Sequence, residues 1–565
     1  MAGHVRRTVL VGLAGGGLLV AGMAAAAPGA AAASRSTSTT ASTSAGAVEV
    51  QTGQPGLAAR VARSAATPAA AATEVSTRSH GARPLVRSAT GAATTAARPT
   101  AVAPSAAATS SAALLTAFNG VSSRDSEVTN FNARFEPPDQ GLCAGAGFVL
   151  EPVNSAYRIY RTNGTSIRGP FNVNEIFDEG GKEFTSDPRC WYDPTTHAWF
   201  ATILFLNSAF TEGRIDIAVN PSSNPTGLWT EYQIDATFDG RDGEPNLSGC
   251  PCFGDQPRIG IDQTNLYVTT DEYSINGPQF HGGQVYAIDK SDLVSGAANA
   301  HYVRFGNLHL GGHLVGAPQP ALSIGTPPAE YFLSELDPTG NGDTRIGVWA
   351  MTDRGRVATG GSPTLSKMIV SSEAYSTPPP SPQKGAKSTI DSGDDRMQQV
   401  SFVNGTVWGE LGTSLRPAGD TKDRAGGAWF ELRPRLSGDA IGGATMLRQG
   451  YVGVRGANVL YPAIQPDAAG NAAMVFTLTG ASMFPSVGFS VLSAGGTAFS
   501  APAVAMAGTG PYDPAATRWG DYSFAVPDWG SDGAWLASEY VPPRSSQTSN
   551  RARNWGTAVI RVRLG

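Results

Sequence analysis

Seven polar clusters recur after residue 130, about every 60 residues. They are Pro137-Pro138-Asp139, Ser186-Asp187-Pro188-Arg189, Gly254-Asp255-Gln256-Pro257-Arg258, Ala317-Pro318-Gln319-Pro320, Gly393-Asp394-Asp395-Arg396, Tyr461-Pro462-Ala463 and Arg518-Trp519-Gly520-Asp521-Tyr522. Each opens a short β-type run. If the runs start on one face of a ring, Asp139, Asp187, Asp255, Asp395 and Asp521 gather there. Arg189, Arg258, Arg396 and Arg518 gather with them, beside Tyr522, Trp519 and Gln256. Carboxylates crowded in a partly buried ring raise one another's pKa unless cations intervene. The arginines supply cations; Ca²⁺ is the alternative. Paired carboxylates with Arg and Tyr suit either the binding of an acidic sugar or acid/base glycoside chemistry. The competing reading is structural: Asp and Arg at strand starts satisfy backbone groups of their neighbours.

Four cysteines, Cys143, Cys190, Cys250 and Cys252, predict two disulfides with three connectivities open. Cys143 follows Asp139 and Cys190 follows Asp187 at similar distances, so they occupy similar places in adjacent units. A four-thiolate zinc site lacks the paired C-x2-C spacing, and no metal site is expected. His309 and His313 stand four apart, but Gly311 and Gly312 between them exclude a helix that presents both, so they read as turn residues. No G-x-S-x-G, P-loop or H-E-x-x-H string occurs. Asn163-Gly164, Asn276-Gly277 and Asn404-Gly405 read as hairpin turns.

The elements that must position these residues are strands. After Leu115 the chain shows β-branched and aromatic runs separated by Gly, Pro, Asn and Asp. The runs 198–204, 214–219 and 229–234 belong to a four-stranded antiparallel meander. Seven such units imply an all-β fold, a β-propeller of seven four-stranded blades. The last stretch shows only three strands, 522–526, 535–540 and 557–562. An N-terminal strand from about 126–136 is expected to complete that blade and close the ring, which removes exposed sheet edges. Arg518 and Asp521 should point to the channel mouth, with Asp521 meeting a cation of another blade, Arg396 or Arg189. A β-helix or a pair of sandwiches fits the spacing less well.

The strings PPDQGLCAGAGFVLEPVNSAYRIY, SDPRCWYDPTTHAWFATILF, CPCFGDQPRIGID and TRWGDYSFAVPDWGSDGAWLASEY resemble a family of exported bacterial β-propeller proteins without a settled function. The resemblance covers nearly all of 130–565 and implies a fold related to the sialidase-like propellers. The chain departs from true sialidases in lacking a repeated S-x-D-x-G-x-x-W box. Ser531-Asp532-Gly533-Ala534-Trp535 does not keep the spacing, which puts sialidase chemistry in doubt.

Residues 1–33 read as a signal peptide: Arg6 and Arg7, an apolar run from Val9 to Ala27, then small residues. Residues 34–115 are Ala, Ser and Thr with scattered Arg and Pro. They lack the bulk that offsets ordering entropy, and so read as a disordered tether. Residues 116–565 are the propeller domain. Gly supplies 68 of 565 residues, well above the usual share of about 7%, as a turn-rich fold requires. The net charge of −5 divides unevenly: residues 1–115 are basic and the body is acidic. An acidic body argues against a nucleic-acid partner. The expectation is a secreted or envelope-associated monomer without a cofactor or later membrane span. It binds a glycan or an extracellular protein through its channel face, or is a glycoside hydrolase or lyase.

Overall fold

The computed structural model describes residues 48–61, 113–130, 135–181, 183–241, 244–512, 518–543 and 554–565. The expected signal peptide and most of the expected tether lie outside them. Among the described residues, strand pairing yields seven four-stranded antiparallel sheets in chain order. The first is Cys143–Gly145, Phe148–Val153, Ala156–Arg161 and Ser166–Phe171. The second is Phe184–Asp193, Ala198–Leu206, Gly213–Asn220 and Thr230–Asp235. The third is Cys252–Ile261, Asn265–Ser274, Phe280–Asp289 and Asn299–Phe305. The fourth is Gln319–Ile324, Glu330–Glu335, Asp343–Thr352 and Thr364–Tyr375. The fifth is Met397–Val403, Thr406–Leu415, Arg424–Ser437 and Ala440–Val452. The sixth is Asn458–Pro466, Ala472–Gly480, Met483–Leu492 and Ala503–Met506. The seventh is Phe524–Asp528, Gly533–Tyr540 and Gly556–Arg563, with Leu114–Ser122 as its outer strand.

These are the blades of a propeller. The first strand of each lies beside the first strand of the next, and that of blade 7 lies beside Cys143–Gly145 of blade 1. Neighbouring first strands run parallel: Ala321 to Ile324 pairs with Val400 to Val403. The second strand of blade 2, Ala198–Leu206, is buried along its whole length. That matches its unbroken apolar run, because both faces are covered by adjacent blades. The outer strand Ser166–Phe171 is largely exposed, and its sequence is correspondingly mixed. Turn chemistry ends the strands: Asn404 and Gly405 both have positive φ, 47° and 82°, as a two-residue primed turn demands.

Two expectations are corrected. The closing strand is Leu114–Ser122, not 126–136. Ser122 instead caps a short helix, Ser123–Thr129, in a capping box with Asp125 that stops the strand there. Within the expected tether, Glu49–Thr52 pairs with Thr364–Tyr375 of blade 4. Gln54–Arg60 pairs with Asn299–Phe305 of blade 3 and, at Ala59 and Arg60, with Thr230–Asp235 of blade 2. Low side-chain bulk did not forbid this order. The segment docks through its main chain onto strand edges that otherwise carry unpaired N–H and C=O groups. Only Ala58 in it is fully buried.

Candidate functional site

Four of the blade entries share a local geometry. Asp139, Asp187, Gln256 and Tyr461 all take left-handed backbone, with φ of 47°, 60°, 49° and 50°. The pairing of the first strand with the second slips at this point in blades 2, 3 and 6. Such bulges turn a side chain out of the sheet. Gln256, rather than Asp255, is thus the counterpart of Asp187.

Two groups of side chains assemble. In the first, single oxygens of Asp139, Asp187 and Asp521 lie within 4.8 Å of one another. One Asp139 oxygen accepts from Asn154 Nδ2 at 2.7 Å, and the other accepts from the Asp521 N–H at 2.8 Å. Arg518 donates from Nη2 to both oxygens of Asp521 at 2.5 Å and reaches toward Asp391 at 3.8 Å. The expected cross-blade cations, Arg396 and Arg189, are therefore not the partners of Asp521. An arginine three residues away in the same cluster reaches it first, and the cross-blade bond is made by the Asp521 backbone to Asp139. Arg189 lies over the Tyr522 ring, 3.0 Å from its centroid, and Tyr522 Oη donates to Pro188 O at 3.4 Å.

In the second group, Arg258 donates to Asp271 at 2.8 Å, and Arg396 holds Asp394 through two nitrogens at 2.7 and 2.8 Å. Gln256 Oε1 accepts from Arg258 at 3.3 Å and from Arg396 at 3.1 Å, joining blades 3 and 5. Asp394 is the carboxylate on Arg396; Asp395, the aspartate expected in the ring, is fully buried. Asp271 was hidden in the sequence by its position inside a strand run, where a buried charge is the only signal. Deeper in the ring Gln399 bonds to Ile464 O, Ala525 O and Ala525 N–H, tying blades 5, 6 and 7.

Electrostatics follow from burial. Desolvation, with the charges of Asp521 and Asp187, holds Asp139 well above the ordinary carboxylate range. Burial and then Asp521 raise Asp187 to about 6, and burial and then Asp187 raise Asp255 to about 8. Burial lowers Arg189 and raises Tyr522. The three clustered carboxyls resemble a cation cradle, but Arg518 already occupies both oxygens of Asp521. Several further oxygens would be needed for Ca²⁺. Several buried atoms of the blade-entry clusters have no protein partner: Asp187 Oδ1, Arg189 Nε, Arg258 Nη1, Gln140 Oε1 and Tyr461 Oη.

Elsewhere, Cys143 and Cys190 are bonded, joining the first strands of blades 1 and 2, and Cys250 is bonded to Cys252. No thiolate set is thus left for zinc. His309 and His313 flank the Gly311-Gly312 turn of a small hairpin, each opposite a leucine. No helix among the described residues is long and apolar enough to cross a membrane.

No protein-family model and no curated protein matches the chain. Solved structures do. A point mutant of NanB sialidase from Streptococcus pneumoniae is 9% identical over 74% of this chain and 82% of its own, with a TM-score of 0.38. The GH93 alpha-L-arabinofuranosidase of Fusarium graminearum with arabinobiose is 9% identical over 79% and 98%, at 0.32. Drosophila Plexin A in complex with Semaphorin 1b is 10% identical over 80% and 87%, at 0.32.

Proposed function

We propose that the protein is a non-catalytic glycan-binding propeller that works at the cell envelope or outside the cell. The ligand is held at the channel mouth, with Asp391, Asp394, Arg518 and Asp521 as its outer contacts. The observation that carries this is the state of the mouth residues. The partly exposed Arg518, Asp521, Asp394 and Asp391 set a donor among acceptors there, beside buried polar atoms without protein partners (Arg189 Nε, Arg258 Nη1, Tyr461 Oη, Asp187 Oδ1 and Gln140 Oε1). A sugar hydroxyl both donates and accepts, so a polyhydroxylated ligand suits such a lining. Two disulfides in the chain suit an oxidising compartment.

Binding is favoured over hydrolysis by spacing. Glycosidases place their two carboxyls about 5–5.5 Å or 6.5–9.5 Å apart on opposite sides of the sugar. Here Asp139 and Asp187 are 2% and 5% exposed and crowd within 4.8 Å of Asp521. So buried a pair is shut off from a substrate. The test is a glycan array run on the mature chain, paired with a reducing-sugar assay on each glycan it binds. Binding without sugar release is expected. Asp391→Asn should weaken binding about tenfold while leaving the melting temperature intact, since the Asp391 side chain is 38% exposed. Release of sugar would replace this reading by a hydrolase, and no binding to any glycan would end it.

A further inference from the structure

The Cys250–Cys252 bond spans a sequence separation of 2 and joins no two elements. So small a ring removes little freedom from the unfolded chain, and its stabilising value is correspondingly slight. Its surroundings are those of a reactive disulfide. Cys250 is half-buried, whereas Cys252 is fully buried at the first position of the inner strand of blade 3. One sulfur is therefore open to attack and the other is a sheltered leaving group. A ring nitrogen of His281 lies within 4.8 Å of both sulfurs. His281 Nε2 is 3.0 Å from Ser274 Oγ, which fixes the ring. Burial holds the imidazole below its ordinary pKa, so it is a neutral proton acceptor at neutral pH. The loop before it is held too. Gly249 has φ of +99°, and a Cβ there would fall 1.7 Å from Gln279 Oε1.

His281 also lines a cavity of about 460 Å³ with Leu247, Phe280 and Leu314, closed on another side by Gln51 and Gln54. Its wall combines apolar side chains with polar groups of the docked N-terminal segment. A short peptide can lay an apolar side chain into it and bring a neighbouring cysteine to Cys250.

We propose that Cys250, Cys252 and His281 form a thiol–disulfide exchange site whose substrate is a peptide dithiol. This site is separate from the channel mouth and does not rest on the glycan reading. His281 takes the proton of the first substrate thiol, and the thiolate attacks Cys250 Sγ. The S–S bond breaks, its electron pair leaves on Cys252 Sγ, and His281 returns the proton there. The second substrate thiol attacks the substrate sulfur of the mixed disulfide and displaces Cys250, which takes up that thiol's proton. Two electrons and two protons pass to the protein, leaving a peptide disulfide and a Cys250/Cys252 dithiol. A low-molecular-weight disulfide reverses the sequence and restores the bond.

The experiment uses the mature protein, titrated in glutathione redox buffers and read by alkylation and mass spectrometry. Cys250 and Cys252 should become reduced while Cys143–Cys190 stays intact and the fold persists. A reduced model peptide with two cysteines beside a leucine should be oxidised stoichiometrically. Cys252→Ser should trap the disulfide form of that peptide on Cys250, its thiolate displacing one peptide sulfur, whereas Cys250→Ser should trap little, because Cys252 is shielded. His281→Gln should slow exchange by about a hundredfold. Reduction of both disulfides only together, on unfolding of the wild-type protein, would overturn the proposal. So would equal trapping, or no trapping, by the two serine variants.

Discussion

At the entry of blade 1, Cys143 bonds Cys190 of blade 2, and Asp139 accepts the Asp521 N–H of blade 7. Three blades are held there by one covalent and several polar links, all nearly excluded from water. At the entry of blade 3, Cys250 bonds only its near neighbour Cys252, and blades 2 to 4 are joined instead by a docked strand at their outer edges. The same chemical bond thus does two jobs. Where a disulfide spans separate blades it restricts the unfolded chain strongly; where it spans one residue it restricts it far less. The polar ring and the N-terminal strand likewise differ. The ring fixes charges in a dry site, whereas the strand only satisfies exposed backbone edges.

The contrast is tested most sharply by removing each disulfide in turn. Loop-closure entropy for the separation of 47 in Cys143–Cys190 predicts a loss of about 4 kcal/mol in the paired serine variant. For Cys250–Cys252, with a separation of 2, the same model gives about 1.5 kcal/mol. Urea denaturation of the two double variants measures both, and equal losses would contradict the distinction. Next in size is Asp521→Ala. It strips Arg518, whose side chain is 13% exposed, of its bidentate partner. Breaking a largely buried pair from one side costs about 3 kcal/mol, seen in the same denaturation. A chain that begins at residue 113 loses the docked strands. Ordering entropy largely offsets the hydrogen bonds these strands make, so the denaturation midpoint should fall only slightly. An unchanged midpoint would show the strands to be ornamental to stability.

The last effect is on pH dependence. Burial and neighbouring charge raise Asp187 to about 6 and Asp255 to about 8 in the folded protein, above about 3.9 for a free aspartate. The folded state then binds more protons than the unfolded one between these values. The stability these groups contribute is fully present below about pH 4 and is lost as pH rises through about 6 and 8. Melting temperature should accordingly fall between about pH 5 and pH 9 from this source. Asp255→Asn should flatten the upper part of that slope, which thermal scans across the range would reveal.

Much of this was legible in the residues. The recurring Pro, Asp and Arg clusters located blade entries, since a turn followed by a short β-type run has a local signature. The meander at 198–234 was readable because an uninterrupted apolar run of strand length is buried on both faces. The disulfides were readable as a pair count. The partner of Asp521 was not, because proximity in the sequence favoured Arg518 over arginines of other blades, and only the backbone turn decides that. Asp394 lies beside Asp395, and composition does not say which of two adjacent aspartates faces an arginine.

Consecutive residues therefore settled local matters: strand periods, turn residues, and the polar character of each blade entry. These depend on a short stretch of chain and its intrinsic geometry. Folding in three dimensions decided which distant groups meet. It brought Asp139, Asp187 and Asp521 from blades 1, 2 and 7 within 4.8 Å, a distance fixed by ring closure. It seated residues 49–60 on three blade edges. Edge pairing runs through backbone groups that every residue carries, so side-chain composition could not foretell it. It also set His281 beside Cys250 and Cys252, because the third strand of the blade and the loop before its first strand meet only once the blade has formed.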